Sequence, residues 1–230
     1  MAKKTFFVTG TDTDAGKTFI ASALLHKANS EGLRSLALKP VASGSESRDE
    51  GLRNSDALIL QEAMSEELDY EQINPYAFEP AIAPHIAAEQ AGVRLNASRL
   101  AGFCRGALFT PHDFSVVEGA GGWRVPLNDR EDFSDLAKEL SLPVILVVGL
   151  RLGCINHALL TIEAIRRDGL TVAGWVANHV DPNMSCMEEN LETLKQRMTA
   201  PYLGFVPNLA GKENAAISAS QYLHLPESHN

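Results

Sequence analysis

The chain has 230 residues, 45% of them hydrophobic and 21% charged, which suits one soluble globular domain over 1–230 with a sizeable core. A formal net charge of −9 disfavours nucleic acid or an anionic membrane as the main partner, but not nucleotides, whose sites are local. Cys104, Cys154 and Cys186 form no CxxC pair and no metal-ligand spacing, so they read as reduced thiols of a cytosolic protein.

Met1-Ala2-Lys3-Lys4 runs straight into a first strand, Thr5–Thr9, without the apolar segment of a signal peptide, so a cytoplasmic location is expected. The run Gly10-Thr11-Asp12-Thr13-Asp14-Ala15-Gly16-Lys17-Thr18 follows, and then an apolar helix over 17–31. Strand, glycine-bounded loop and helix are the context of a phosphate-binding loop, in which successive N–H groups and the helix N-terminus wrap an anion. Lys17 is placed to reach the β/γ-phosphates and the Thr18 hydroxyl to ligate Mg²⁺. Five residues, Thr11 to Ala15, separate the two glycines in place of the usual four, so the loop is a variant.

The next strand, Ser35–Leu38, ends at Lys39-Pro40-Val41-Ala42-Ser43-Gly44. Lys39 is either an ordinary surface lysine or a second cation facing the phosphates. Ser43 and Thr13 are small hydroxyl donors on the same rim, able to hold a phosphate or an amine, though both residue types are common in turns. The stretch from Ser45 to Asn96 is the least regular and reads as loops and short helices over that rim, with one helix over 56–64. Asp56 is there either a helix N-cap or a carboxylate ligand.

A helix over 97–109 and a strand at Phe114–Val117 lead to Glu118-Gly119-Ala120-Gly121-Gly122. A carboxylate at a strand's carboxyl end, beside four small residues, is poorly explained by packing. Thr18, Asp56 and Glu118 together offer a hydroxyl and two carboxylates, hard oxygens of the kind Mg²⁺ takes. A helix over 133–140 precedes Val144-Ile145-Leu146-Val147-Val148, a strand with no polar alternation and so buried on both faces. Leu142 to Leu150, the longest strongly apolar stretch, is too short to cross a bilayer. Gly153-Cys154-Ile155-Asn156-His157 opens a helix over 156–168 whose free N–H groups suit a carboxylate, or are plainly capped.

A strand at Val172–Ala177 ends at Asn178-His179, where the Asn178 amide either reads a base or makes a turn. A helix over 186–198, a strand at Leu203–Val206 and a frayed tail from Leu225 to Asn230 complete the chain. Buried strands alternating with helices imply an α/β fold of the P-loop NTPase-like kind, with a mostly parallel central sheet and helices on both faces. In such folds ligands sit beyond the carboxyl ends of the strands, and each of those ends here is polar or glycine-rich.

The ordered set of these segments, with Arg53-Asn54-Ser55-Asp56-Ala57, Val117–Trp123 and Gly174-Trp175-Val176-Ala177-Asn178, resembles the dethiobiotin synthetases over nearly the whole chain. The resemblance implies an enzyme that closes a cyclic urea on 7,8-diaminopelargonic acid, using CO₂, ATP as co-substrate and Mg²⁺ as cofactor. It implies a carbamate, then a carbamic–phosphoric anhydride, with no covalent enzyme intermediate. It carries the phosphates to Asp14, Ala15, Gly16, Lys17 and Thr18. Mg²⁺ goes to Thr18, Asp56 and Glu118, with Gly119, Ala120 and Gly121 beside the nucleotide. Lys17 and Lys39 stabilise the transferred phosphoryl and the carbamate, and Thr13 and Ser43 contact the diamine. Asn178 and His179, with Pro207, Asn208, Leu209 and Glu213, define the base and ribose site. Gly153, Cys154, Ile155 and Asn156 take the substrate's distal carboxylate at a homodimer interface. One position departs from the family: the helix near residue 190 lacks its tyrosine and reads Met187-Glu188-Glu189-Asn190-Leu191. Partition or switch ATPases, a rival within the P-loop class, carry a lysine five residues before the loop lysine, and that position here is Asp12.

Overall fold

The computed structural model describes residues 3–227; residues 1 and 2, and residues 228–230 of the expected frayed tail, lie outside the described residues. The first strand, β1 (Lys4–Gly10), is followed by α1 (Lys17–Ser30) and β2 (Ser35–Leu38). Next come β3 (Val41–Ser43), β4 (Glu46–Arg48), β5 (Gly51–Arg53), α2 (Ser55–Ala63), α3 (Tyr70–Ile73), β6 (Tyr76–Phe78) and α4 (Pro84–Gln90). The remainder is α5 (Ala97–Ala107), β7 (Phe114–Gly122), α6 (Phe133–Leu140), β8 (Val144–Gly149), α7 (Cys154–Arg167), β9 (Val172–Asn178), α8 (Met187–Arg197), β10 (Tyr202–Val206) and α9 (Ala215–Ser220).

Six strands form one sheet in the order β10-β9-β8-β1-β7-β2, and every pairing in it is parallel. Every residue of β2, β8 and β9 is buried, as the absence of polar alternation demands of strands covered on both faces. On the helical layers, α1 packs with α2 and α9, α5 with α6, and α7 with α8. Aromatic rings fill the interior: Phe6 lies 5.6 Å from Phe114, and Phe7 meets the edge of Trp123 at 6.1 Å.

All six strands read from the sequence are present, at the expected places in the chain. Five run one residue or more beyond the expected bounds, β7 furthest: it continues to Gly122, because its pairing with β1 extends as far as Gly10↔Gly122. The Ser45–Asn96 region holds strands as well as helices, a correction to its reading as loops and short helices. β4 and β5 form an antiparallel hairpin, and β6 pairs in parallel with β3. Strands of three residues carry too little periodicity to be read from a sequence; α9, at six residues, spans less than two helical turns.

The sheet grows outward from β1 in two directions, through β7 on one side and β8 on the other. That reversal opens a crevice at the carboxyl end of β1, where open α/β sheets bind ligands.

Candidate active site

The crevice is floored by the loop from Gly10 to Lys17. Gly16 takes φ +84°, a left-handed conformation open to glycine, and starts α1 with no side chain among the described residues capping it. The first N–H groups of α1 are therefore free to meet an anion. A Cβ on Gly16 would lie 2.2 Å from Asn178 Nδ2. That amide donates to the Ala15 carbonyl at 3.0 Å and so pins the loop to the end of β9. Lys17 Nζ donates to the Asp12 carbonyl at 3.4 Å. Burial, and then the neighbouring Lys39, lower the Lys17 pKa from its ordinary value.

Beside the loop lies a buried cluster of charge. Glu118, within β7, is fully buried. Its Oε1 accepts from Thr18 Oγ1 at 2.8 Å and from Lys39 Nζ at 2.5 Å. Lys39 Nζ also donates to the Gly119 carbonyl at 3.1 Å and pairs with Asp56 Oδ2 at 3.3 Å. Burial alone would lower the Lys39 pKa, but Glu118 and Asp56 together outweigh it and hold it above the ordinary lysine value. Lys39 is 3% exposed, which disposes of its reading as a surface lysine.

Asp56 is not the N-cap of its helix. Asn54 is: its Oδ1 accepts from the Asp56 and Ala57 N–H groups at 3.1 and 3.3 Å. The Asp56 carboxylate is thus left to face Lys39. Asn54 is held by the Tyr70 hydroxyl, which accepts from its N–H at 2.7 Å and donates to Asn74 Oδ1 at 2.9 Å. Asn74 in turn donates to the Lys39 carbonyl at 2.6 Å. This network from α3 aligns both Lys39 and Asp56. Tyr70 and Asn74 carry no motif by which sequence reading finds them.

The cluster fits a hard cation. Thr18, Asp56 and Glu118 are all oxygen donors, and Glu118 Oε2 is buried with no hydrogen-bond partner among the described residues. Above them opens a cleft of about 990 Å³, lined by Thr13, Ser43, Lys39, Asp56, Gly121 and Ile82 among others. Ser43 Oγ is buried and, among the described residues, unpartnered, so the cleft holds a hydroxyl ready for a ligand.

Residues 4–216 match the AAA domain family. The chain is 56% identical over 228 residues to the ATP-dependent dethiobiotin synthetase BioD of Marinobacter nauticus, covering 98% of this chain and 97% of that one. It is 63% identical over 214 residues to BioD of Pseudomonas paraeruginosa, covering 93% and 94%. The chain belongs to the ATP-dependent dethiobiotin synthetase family. That family consists of ATP-dependent ligases.

Among solved structures, a cobyrinic acid a,c-diamide synthase of Mycobacterium smegmatis with ADP and magnesium aligns with TM-score 0.58 at 14% identity, over 96% of this chain and 92% of that one. The septum site-determining protein MinD of Pyrococcus horikoshii with Mg-ADP aligns with TM-score 0.55 at 15% identity, over 94% and 86%. At such identities these neighbours show the shared P-loop NTPase fold.

The remaining positions implied by the dethiobiotin synthetase resemblance fall in two groups. His179, Pro207, Asn208 and Leu209 gather where β9 and β10 end: Asn208 Nδ2 donates to the His179 carbonyl at 3.1 Å, and the His179 N–H to the Val206 carbonyl at 3.0 Å. Glu213 is exposed beyond them. Gly153 to Asn156 form the start of α7 and do not line the cleft of this chain. Asn190, near which the resemblance implies a tyrosine, donates its amide to the Cys186 carbonyl at the start of its own helix at 2.8 Å.

Proposed function

We propose that this chain, acting as one domain in the cytoplasm, converts 7,8-diaminopelargonic acid, CO₂ and ATP into dethiobiotin, ADP and phosphate. The observation that carries the reading is the Thr18–Glu118–Lys39–Asp56 cluster facing the phosphate loop, in a chain of the dethiobiotin synthetase family.

One substrate amine adds to CO₂, releasing a proton and leaving a carbamate. A carbamate oxygen attacks the γ-phosphorus and ADP departs, which yields a carbamic–phosphoric anhydride. The second amine attacks the carbonyl carbon, closes the ring and expels phosphate. Lys17 leaves the Asp12 carbonyl for the phosphates, and Lys39 stabilises the carbamate and the phosphoryl group in flight. Thr13 and Ser43 hold the diamine end. Mg²⁺, held by Thr18, Asp56 and Glu118, would neutralise charge on the ATP phosphates. Asn178, with residues 207–209 and Glu213, borders the base and ribose. No nucleophile–base pair is needed, because catalysis here is positioning and charge stabilisation.

The start of α7 in a second copy of the chain completes the substrate site by taking the distal carboxylate. Leu152, 92% exposed, and Leu160, 57% exposed, give that region an apolar surface, which supports a homodimer. Among the described residues no helix is long and apolar enough to cross a membrane.

Incubation of the diamine, bicarbonate, ATP and Mg²⁺ with the purified protein tests the reading by mass spectrometry and a parallel ADP assay. Dethiobiotin and ADP in equal amounts are expected. ADP release without dethiobiotin, from folded protein, would mean that the nucleotide site is right and the substrate wrong.

A further inference from the structure

We propose that Arg151 is a positioning residue, which sets the Thr13 end of the phosphate loop for the substrate and ties it to the start of α7. Arg151 follows β8, and its guanidinium reaches across to the loop after β1. One terminal nitrogen donates to Asp12 Oδ2 at 3.0 Å and to the Thr13 carbonyl at 2.9 Å. Asp12 Oδ1 accepts from the Thr13 N–H at 2.8 Å. Both backbone groups of Thr13 are therefore held, one by Arg151 and the other by the carboxylate that Arg151 pairs.

The neighbouring bonds give this clamp a direction. The Thr11 N–H donates to the Val147 carbonyl at 2.9 Å, so the loop stem is fixed to β8 without Arg151. The far half, Ala15 and Gly16, is fixed by Asn178. Among the described residues the guanidinium holds the Asp12 carboxylate and the Thr13 carbonyl, while the Asp12 carbonyl accepts separately from Lys17 Nζ, and Thr13 lines the cleft. At the other end of the same residue, the Arg151 carbonyl accepts from the Cys154 N–H at 3.0 Å, where α7 begins. Arg151 thus joins the loop that meets the substrate's amine end in one chain to the helix start offered to a distal carboxylate at the dimer. Its side chain is 34% exposed and that of Asp12 47% exposed, so the pair contributes little to global stability. The consequence of removing it falls on loop geometry.

The substrate part of this inference rests on the proposed function, and the clamp itself does not. Hydrogen–deuterium exchange on nucleotide-free protein reads the clamp alone. Arg151→Ala is expected to speed exchange of the Thr13 amide and leave those of α1 unchanged. Arg151→Lys is expected to restore slow exchange, because both bonds come from one nitrogen and an ammonium has three donors. In steady-state assays Arg151→Ala is expected to raise the diamine KM about tenfold or more, a scale set by the sensitivity of reaction geometry to small displacements. The affinity for Mg-ADP, measured calorimetrically, stays unchanged, and Arg151→Lys recovers the KM. Unchanged Thr13 exchange overturns the clamp. Equal losses of diamine and Mg-ADP binding overturn its selectivity for the substrate end. Faster Thr13 exchange in the variant, from a wild type that makes no dethiobiotin, leaves the clamp standing and overturns the substrate reading.

Discussion

Glu118 is the residue on which the charge of the site turns. Its carboxylate is fully buried and joins Thr18 to Lys39. Removing one partner of a buried ion pair leaves the other charge uncompensated, at a cost of about 3–5 kcal/mol. Glu118→Ala is therefore expected to lower the urea midpoint and to shift the Mg²⁺ titration of turnover to higher concentration. An unchanged titration would remove it from the metal site. Lys17→Ala and Lys39→Ala are expected to keep the fold by circular dichroism while turnover falls by about 10²–10³, the scale of losing one preorganised donor to developing charge. Near-normal rates in both variants would exclude them from the mechanism. Part of this cluster was legible beforehand: Lys39 and Ser43 stand at strand ends, where ligands gather in open α/β sheets, whereas Glu118, expected just past the end of a strand, lies inside β7, which continues to Gly122. Asp56 was not decidable from sequence, since a cap and a ligand use the same residue type, and only Asn54 Oδ1 capping α2 freed it. Arg151 lies two residues before the Gly153–His157 segment but belongs to no motif itself.

At the scale of elements, the loop-to-α1 junction shows how backbone and neighbour act together. Gly16 needs both a positive φ and an absent Cβ, because the Asn178 amide stands 2.2 Å from where a Cβ would go. Gly16→Ala is expected to abolish Mg-ADP binding by calorimetry while the thermal transition persists. Binding at wild-type affinity would show the loop to be more plastic than its packing indicates. Along α5, burial pushes the Cys104 thiol from 9.0 up to about 12. A thiol whose folded pKa is raised above its unfolded value adds stability that is fully present below the unfolded pKa. That contribution is lost as pH rises from about 9 toward 12, because the unfolded chain ionises first. Denaturation midpoints measured across that window should fall, and Cys104→Ala should flatten the slope. At neutral pH a thiol reagent should modify exposed Cys186 quickly and buried Cys104 and Cys154 slowly.

At the scale of the molecule, the sheet order decides what meets what. β7 and β8 flank β1, so Glu118 and Arg151 arrive on opposite sides of one loop although 33 positions apart in sequence. β2 beyond β7 delivers Lys39 to the same place as Glu118. The proposed dimer belongs to this scale as well. Leu152→Asp places a charge on the apolar surface at the start of α7 and is expected to move the sedimentation equilibrium toward monomer and raise the diamine KM together. A dimer that persists would locate the interface elsewhere.

The sequence by itself determined the six strands of the central sheet and the glycine-bounded loop that opens α1. Runs of buried β-branched residues and a glycine-bounded loop ahead of an apolar helix are local signals, readable within about ten residues. The tertiary structure alone decided that Lys39 is buried between two carboxylates and that Asn178 grips the loop rather than making a turn. It also decided that Asn54, Tyr70 and Asn74 form the frame behind the site. Those facts depend on which strand ends lie side by side, and that juxtaposition is a property of sheet order, which no local periodicity carries.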